Sequence, residues 1–148
     1  MNVERIIKTE KEIPLKQRTI IHLSLVTNKI SEITSVELKP FDVSLQQFNV
    51  LRILRGQKGK PANLSTLNER MVTKMSNTTR LVDKLITKGF VDRITCESNR
   101  RKVEINITDK GLKVLLEMDI AMKKAEEEIL KKLTDQDLIQ LNILLDKF

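Results

Sequence analysis

The chain has 148 residues, enough for one compact unit with a real core, and carries a formal charge of +7. Its single cysteine excludes an internal disulfide and fits a reducing compartment. The start, MNVERIIKTEKEIPLK, is too charged for a signal peptide, and no apolar run reaches the ~18–20 residues of a membrane span, so a cytoplasmic protein without a membrane partner is expected.

The charge is unevenly placed. Residues 58–110 hold 12 Lys and Arg against 6 Asp and Glu, whereas residues 111–148 hold 6 against 8. The basic excess therefore sits on the middle of the chain, where phosphate is the natural counter-charge.

In chain order, Ile20, Leu23, Val26, Ile30 and Ile33 step by three and four and predict a first helix over Thr19–Ile33. Leu38–Val43, with Pro40, reads as a connection. Ser44 followed three residues later by Gln47 is a capping-box pattern that opens a second helix, whose inner face continues through Phe48, Leu51 and Leu54. Gly56 to Pro61 forms the turn that ends it. Asn63 caps a short third helix from Leu64 to about Met71. A fourth begins near Lys74, with Met75, Thr78, Val82, Leu85 and Ile86 inward, and stops at Gly89.

The period then changes. Val103, Ile105 and Ile107 alternate with Lys102, Glu104 and Asn106, which predicts a half-buried strand. Phe90–Cys96 is its expected partner, with residues 97–101 as the loop between them. Thr108 caps a long fifth helix bearing Leu112, Leu115, Leu116, Met122, Ile129, Leu130 and Leu133 on its apolar side. Thr134 caps a sixth, with Leu138, Leu141, Leu144, Leu145 and Phe148 at helical spacing. The expected fold is mainly α with a small β-wing: a winged helix-turn-helix over residues 41–110, flanked by an N-terminal dimerisation helix and connection over 1–40 and C-terminal dimerisation helices over 111–148. The terminal helices carry more apolar surface than a thin wing covers. A second copy of the chain is favoured over packing within one chain.

With Val82, Leu85 and Ile86 inward, the fourth helix presents Ser76, Asn77, Arg80 and Lys84 outward, with Thr79 at the boundary. Arg and Asn are the side chains that read guanine and adenine edges in a major groove, and the lysines suit phosphates. Arg100, Arg101 and Lys102 crowd the hairpin tip, a costly arrangement unless it meets a negatively charged minor groove. Protection of the hairpin edge is the plainer alternative. Ser65 and Thr66 stand in the first turn of the third helix, where free N–H groups favour a phosphate.

Groups for catalysis are missing. One His and one Cys give no zinc-ligand spacing, and the four glycines are scattered rather than gathered into a phosphate loop. Neither an enzyme nor a cofactor is expected. Double-stranded DNA is the favoured partner. A winged-helix adaptor for an acidic protein is the second reading, and the absence of Tyr and Trp weighs against single-stranded RNA.

The chain resembles the MarR-type transcriptional regulators over about Ile20 to Phe148. The likeness rests on Thr79–Leu85, with its Arg, two apolar residues, Asp, Lys and Leu, then on Lys88-Gly89-Phe90-Val91, Asp92-Arg93, Asn99-Arg100-Arg101 and Ile107–Gly111. The resemblance implies a homodimer on a palindromic operator, with Thr79 and Arg80 in the major groove and Arg101 in the minor groove. It also implies a repressor released by a small phenolic or lipophilic ligand, or by cysteine oxidation. Two positions depart from the family. Asn99 stands where the wing Asp is usual and offers only neutral hydrogen bonds to the neighbouring arginines. The N-terminal helix lacks the reactive cysteine of oxidation sensors, and Cys96, between Thr95 and Glu97, sits in a poor setting for a thiolate.

Overall fold

The computed structural model describes residues 1–73, 77–95 and 103–148. It is mainly helical with one small antiparallel sheet, as expected: α1 (Val3–Ile7), α2 (Leu15–Leu38), a 3-10 turn (Lys39–Phe41), α3 (Leu45–Gly56), α4 (Leu64–Arg70), α5 (Thr78–Thr87), β1 (Val91–Thr95), β2 (Val103–Ile107), α6 (Asp109–Leu130) and α7 (Asp135–Leu145). The six helices expected from sequence are α2 to α7.

The caps form where the side chains call for them. Ser44 Oγ accepts the Gln47 amide at 3.2 Å while Gln47 Oε1 accepts the Ser44 amide at 2.9 Å, a reciprocal box that satisfies two orphan donors. Asn63 accepts from Thr66 N at 2.8 Å and Thr108 from Gly111 N at 2.9 Å. Thr134 and Asp137 form a second box. Gly89 takes φ +71° after α5, a conformation that favours a residue without Cβ. Gly111 answers a different demand: a Cβ there would fall 2.1 Å from the Phe90 carbonyl oxygen, so glycine lets α6 start against the base of the sheet.

Val91 pairs with Ile107 and Thr95 with Val103 in the two-stranded ladder. Ala62 adds a short third rung, with Ala62 N donating to Ile105 O at 2.9 Å and Ile105 N to Ala62 O at 2.7 Å. That bridge ties the segment before α4 to the wing. Leu51, Leu54, Leu67, Val82, Leu85, Ile105, Leu115 and Met118 meet in one core between α3, α4, α5, the sheet and α6.

The helices differ from the sequence expectation in places. α2 is longer at both ends than Thr19–Ile33. Its stripe is interrupted by Ser and Thr, whose hydroxyls bond back to carbonyls four residues earlier (Thr19 to Leu15, Ser24 to Ile20, Thr27 to Leu23), so residues that ordinarily compete with a helix are satisfied inside this one. α1 was not expected at all. It is capped by Asn2, buries Val3 and joins α2 through an ion pair of Glu4 with Arg18 at 2.6 Å. The described part of the fourth predicted helix begins at Thr78 with Asn77 as cap; the expected start at Lys74, and the inward Met75, lie outside the described residues.

α2 and α6 pack on each other, and α6 also packs on α3. Arg55 of α3 bridges Asp119 of α6. The outer faces remain open: Ile20 on α2 is 60% exposed, Ile120 on α6 63%, and Phe148 after α7 90%. α7 has no buried residue.

Candidate nucleic-acid interface

α5 is positioned by what it buries. Thr78, Val82 and Leu85 are buried, and this phase turns Thr79, Arg80 and Lys84 outward, all three exposed. Thr78 Oγ1 bonds to Asn68 Oδ1 of α4, which locks the two short helices of the pair together. Asn77 is exposed, but its Oδ1 accepts the Arg80 amide at 3.1 Å as the helix cap. A bidentate contact of Asn77 to adenine would therefore have to open that cap. Sequence reasoning missed this role because it placed the helix start near Lys74, ahead of Asn77.

Asp83 interrupts the basic face of α5. It is answered by Arg93 of β1, whose Nη2 lies 2.8 Å from Asp83 Oδ1. The pair removes the acid from the field of Arg80 and Lys84 and joins the helix to the base of the wing. The far end of α5 is fastened too. Lys110 Nζ donates to Lys88 O at 2.8 Å and sits 5.3 Å from the Phe90 ring centre, and Thr108 Oγ1 donates to Gly89 O at 2.8 Å. Lys88 bonds Asp42, whose carboxyl is held below its ordinary range by that hydrogen bond and by the Lys88 and Lys84 charges.

On α4, Ser65 is exposed and donates to Glu69 Oε1 at 3.0 Å. Thr66 is half-buried, and both its amide and its hydroxyl donate to the Asn63 cap, at 2.8 and 3.1 Å. The structure thus places Asn77, Thr79, Arg80 and Lys84 on α5, and Ser65 and Thr66 in the first turn of α4. Ser76 and the wing residues Arg100, Arg101 and Lys102, together with Cys96 and Asn99, lie outside the described residues.

A second feature was not named by the sequence. A cavity of about 190 Å³ opens between α3, the segment after α4, and α6, lined by Phe48, Arg52, Met71, Val72 and Met122 among others. Arg52 lies over the Phe48 ring, 5.7 Å from its centre. No local pattern announces this cavity, because its walls come from segments about seventy residues apart. Among the described residues no cluster of His, Cys, Asp and Glu is placed to hold a metal, and no helix is long and apolar enough to cross a membrane.

Comparison with known proteins agrees with this geometry. The MarR family model matches residues 43–103, the segment from the α3 cap to the second strand of the wing. Over that segment the chain is similar to the MarR family. An uncharacterized HTH-type transcriptional regulator of Bacillus subtilis (strain 168), YfiV, is 35% identical over 78 residues, 53% of this chain and 48% of that protein. The match thus spans about half the length of that relative. The MarR transcription factor from Planctomyces limnophilus superimposes with a TM-score of 0.70 at 29% identity, over 93% of this chain and all of that one (100%). A cysteine-to-serine mutant of MarR from E. coli, solved in complex with operator DNA, superimposes with a TM-score of 0.76 at 23% identity over 99% of this chain and 98% of that one. At that identity the likeness concerns the fold. The MarR match falls on the winged helix, while the two structural neighbours extend over the terminal helices as well.

Proposed function

We propose that this chain is a transcription regulator that binds duplex DNA sequence-specifically as a homodimer, and that it is not an enzyme. The observation that carries this reading is the outward face of α5, where Thr79, Arg80 and Lys84 project from a buried Val82–Leu85 seam with the nearby Asp83 neutralised by Arg93. Support comes from the operator complex of the E. coli neighbour, which shares the fold. In this reading residues 41–110 hold the DNA and residues 1–40 and 111–148 form the dimer. α5 enters a major groove, with Asn77, Thr79 and Arg80 nearest the bases. Lys84 meets phosphate, as do Ser65 and Thr66 at the start of α4. The wing, with Arg100, Arg101 and Lys102, reaches the adjacent minor groove.

The dimer reading rests on the open apolar faces of α2, α6 and α7. Single exposed leucines are ordinary, but Ile20 on α2, Ile120 on α6, Leu144 on α7 and Phe148 beyond it together leave more apolar surface than a monomer retains. A repressor released by a ligand is the finer proposal, and the cavity beside Arg52 supports it. An aromatic ring fits walls of Phe48, Met71, Val72 and Met122, while the guanidinium offers a carboxylate or phenolate a charged partner. Because the cavity touches both α3 and α6, an occupant would act on the joint between the two halves of the chain.

Fluorescence anisotropy with duplexes from the chain's own upstream region, against scrambled duplexes, tests the reading. Tight, sequence-dependent binding by a dimer is expected, with Arg80→Ala weakening it by about 1–3 kcal/mol. Equal affinity for both duplexes would break the sequence-specific reading. Phenols and aromatic carboxylates added to the complex test release, with Arg52→Ala removing the response to the charged ones.

A further inference from the structure

We infer that the cleft between the N-terminus of α3 and the C-terminal half of α5 is a phosphate-binding site. It measures about 550 Å³ and is lined by Lys39 of the 3-10 turn, Ser44 and Gln47 of α3, and Lys84 and Lys88 of α5, with Asp42 at its edge. Three lysines from two separate elements thus line the same cleft as the first turn of a 12-residue helix, whose N-terminus is its positive end. None of these features is a site by itself. What joins them is Gln47, which is only 5% exposed. Its Oε1 is engaged by the Ser44 amide at 2.9 Å, yet its Nε2 is buried with no hydrogen-bond partner. Leaving a buried amide donor unpaired is costly, and native structures rarely do so without a reason. An oxyanion seated against the first turn of α3 brings acceptor oxygens to that corner of the cleft.

Asp42 shows what the cleft prefers. Among the described residues it is the one acid in the lining; it stands in the left-handed region at φ +51°, and its carboxylate bonds Lys88. Its side chain is 93% exposed, so this ion pair is a weak, solvated one that an incoming phosphate displaces easily. The cleft, at about 550 Å³, is far larger than one carboxylate.

Two sources carry this chemistry. One is a backbone phosphate of a duplex lying along α5, a source that rests on the regulator reading above. The other is free phosphate or a small phosphorylated molecule, which does not. Lys39→Gln separates them, because Lys39 is exposed and lies off the α5 face. For a backbone phosphate, the variant binds upstream and scrambled duplexes more weakly by similar factors, and the slope of log affinity against log salt falls by about 1. For the free anion, inorganic phosphate titrated into the wild-type chain at constant ionic strength gives saturable shifts of the Leu45, Gln46 and Gln47 amide resonances. Those shifts vanish in Lys39→Gln and return in Lys39→Arg. Either result supports the site. An unchanged salt slope together with no saturable shift overturns it. If the wild-type chain binds no duplex, the regulator reading fails, and the phosphate titration alone decides the cleft.

Discussion

The winged-helix lobe and the terminal helices use apolar side chains in opposite ways. In the lobe, Leu51, Leu67, Val82, Leu85 and Ile105 are wholly covered by other parts of the same chain. In α7 not one residue is buried, although Leu138, Leu141, Leu144 and Leu145 recur at helical spacing. Both regions look alike as sequence, with capped helices and regular stripes. The difference is in what meets each stripe. The lobe closes its core through long-range partners: the α4–α5 pair, the two strands, the Ala62 bridge and the start of α6. The terminal helices cover one side each at most and leave the other open, which suits a surface completed by a second copy.

Substitution within the lobe gives the largest expected effect. Leu51→Ala removes a fully covered side chain and lowers the unfolding free energy by about 2–5 kcal/mol in urea denaturation. A loss well under 1 kcal/mol would mean that the lobe core is not closed within one chain. The terminal helices should respond in association instead. Leu141 is 41% and Leu144 56% exposed, so replacing both with Glu costs a lone chain little. In the proposed dimer each buried leucine contributes about 1.5–3 kcal/mol, so the double variant is expected to sediment as a monomer at the micromolar concentration where the wild-type chain is expected to sediment as a dimer. Identical sedimentation of the two would remove α7 from the interface.

A smaller effect sharpens the joint between the regions. The Thr108 hydroxyl accepts from Gly111 N and donates to Gly89 O, so it holds both the start of α6 and the end of α5. Thr108→Ala is expected to cost about 1–2 kcal/mol while leaving the helix content unchanged by circular dichroism. The smallest effect belongs to the α7 cap. The Asp137 carboxyl is held below its ordinary value of 3.8 by the Thr134 backbone amide and then by the Thr134 hydroxyl. A depressed folded-state value means stabilisation that is full above the unfolded value and is lost as pH falls through the folded one. Helicity followed downward from pH 5 should therefore decline below the ordinary carboxylate range, and Asp137→Asn should flatten that part of the curve. An unaltered curve in the variant would place the acid sensitivity elsewhere, with Asp42 and Glu4 as the next carboxylates to replace.

Much of the site was legible before any coordinates. The phase set by Val82 and Leu85 was enough to turn Arg80 and Lys84 outward, since a helix with a known inner face has a known outer one. Asn77 was read as a groove residue because its competing use, capping the helix, depends on where the helix starts. α1 escaped notice because five residues show little periodicity, and only its Asn2 cap gave a local signal. The Arg52 cavity and the phosphate cleft had no signal at all.

The sequence by itself determined the caps at Ser44, Asn63, Thr108 and Thr134, the alternation in Val103–Ile107, and the run of motifs shared with the MarR family. Each of these is a relation between residues a few positions apart, where backbone geometry leaves few choices. Only the tertiary structure decided that Ala62 pairs with Ile105, that Arg93 answers Asp83, that Arg55 ties α3 to Asp119, and that Gln47 is buried with an idle donor. Those outcomes depend on which surfaces meet. Burial and pairing belong to two segments at once, and a stripe of leucines reads the same whether or not anything covers it.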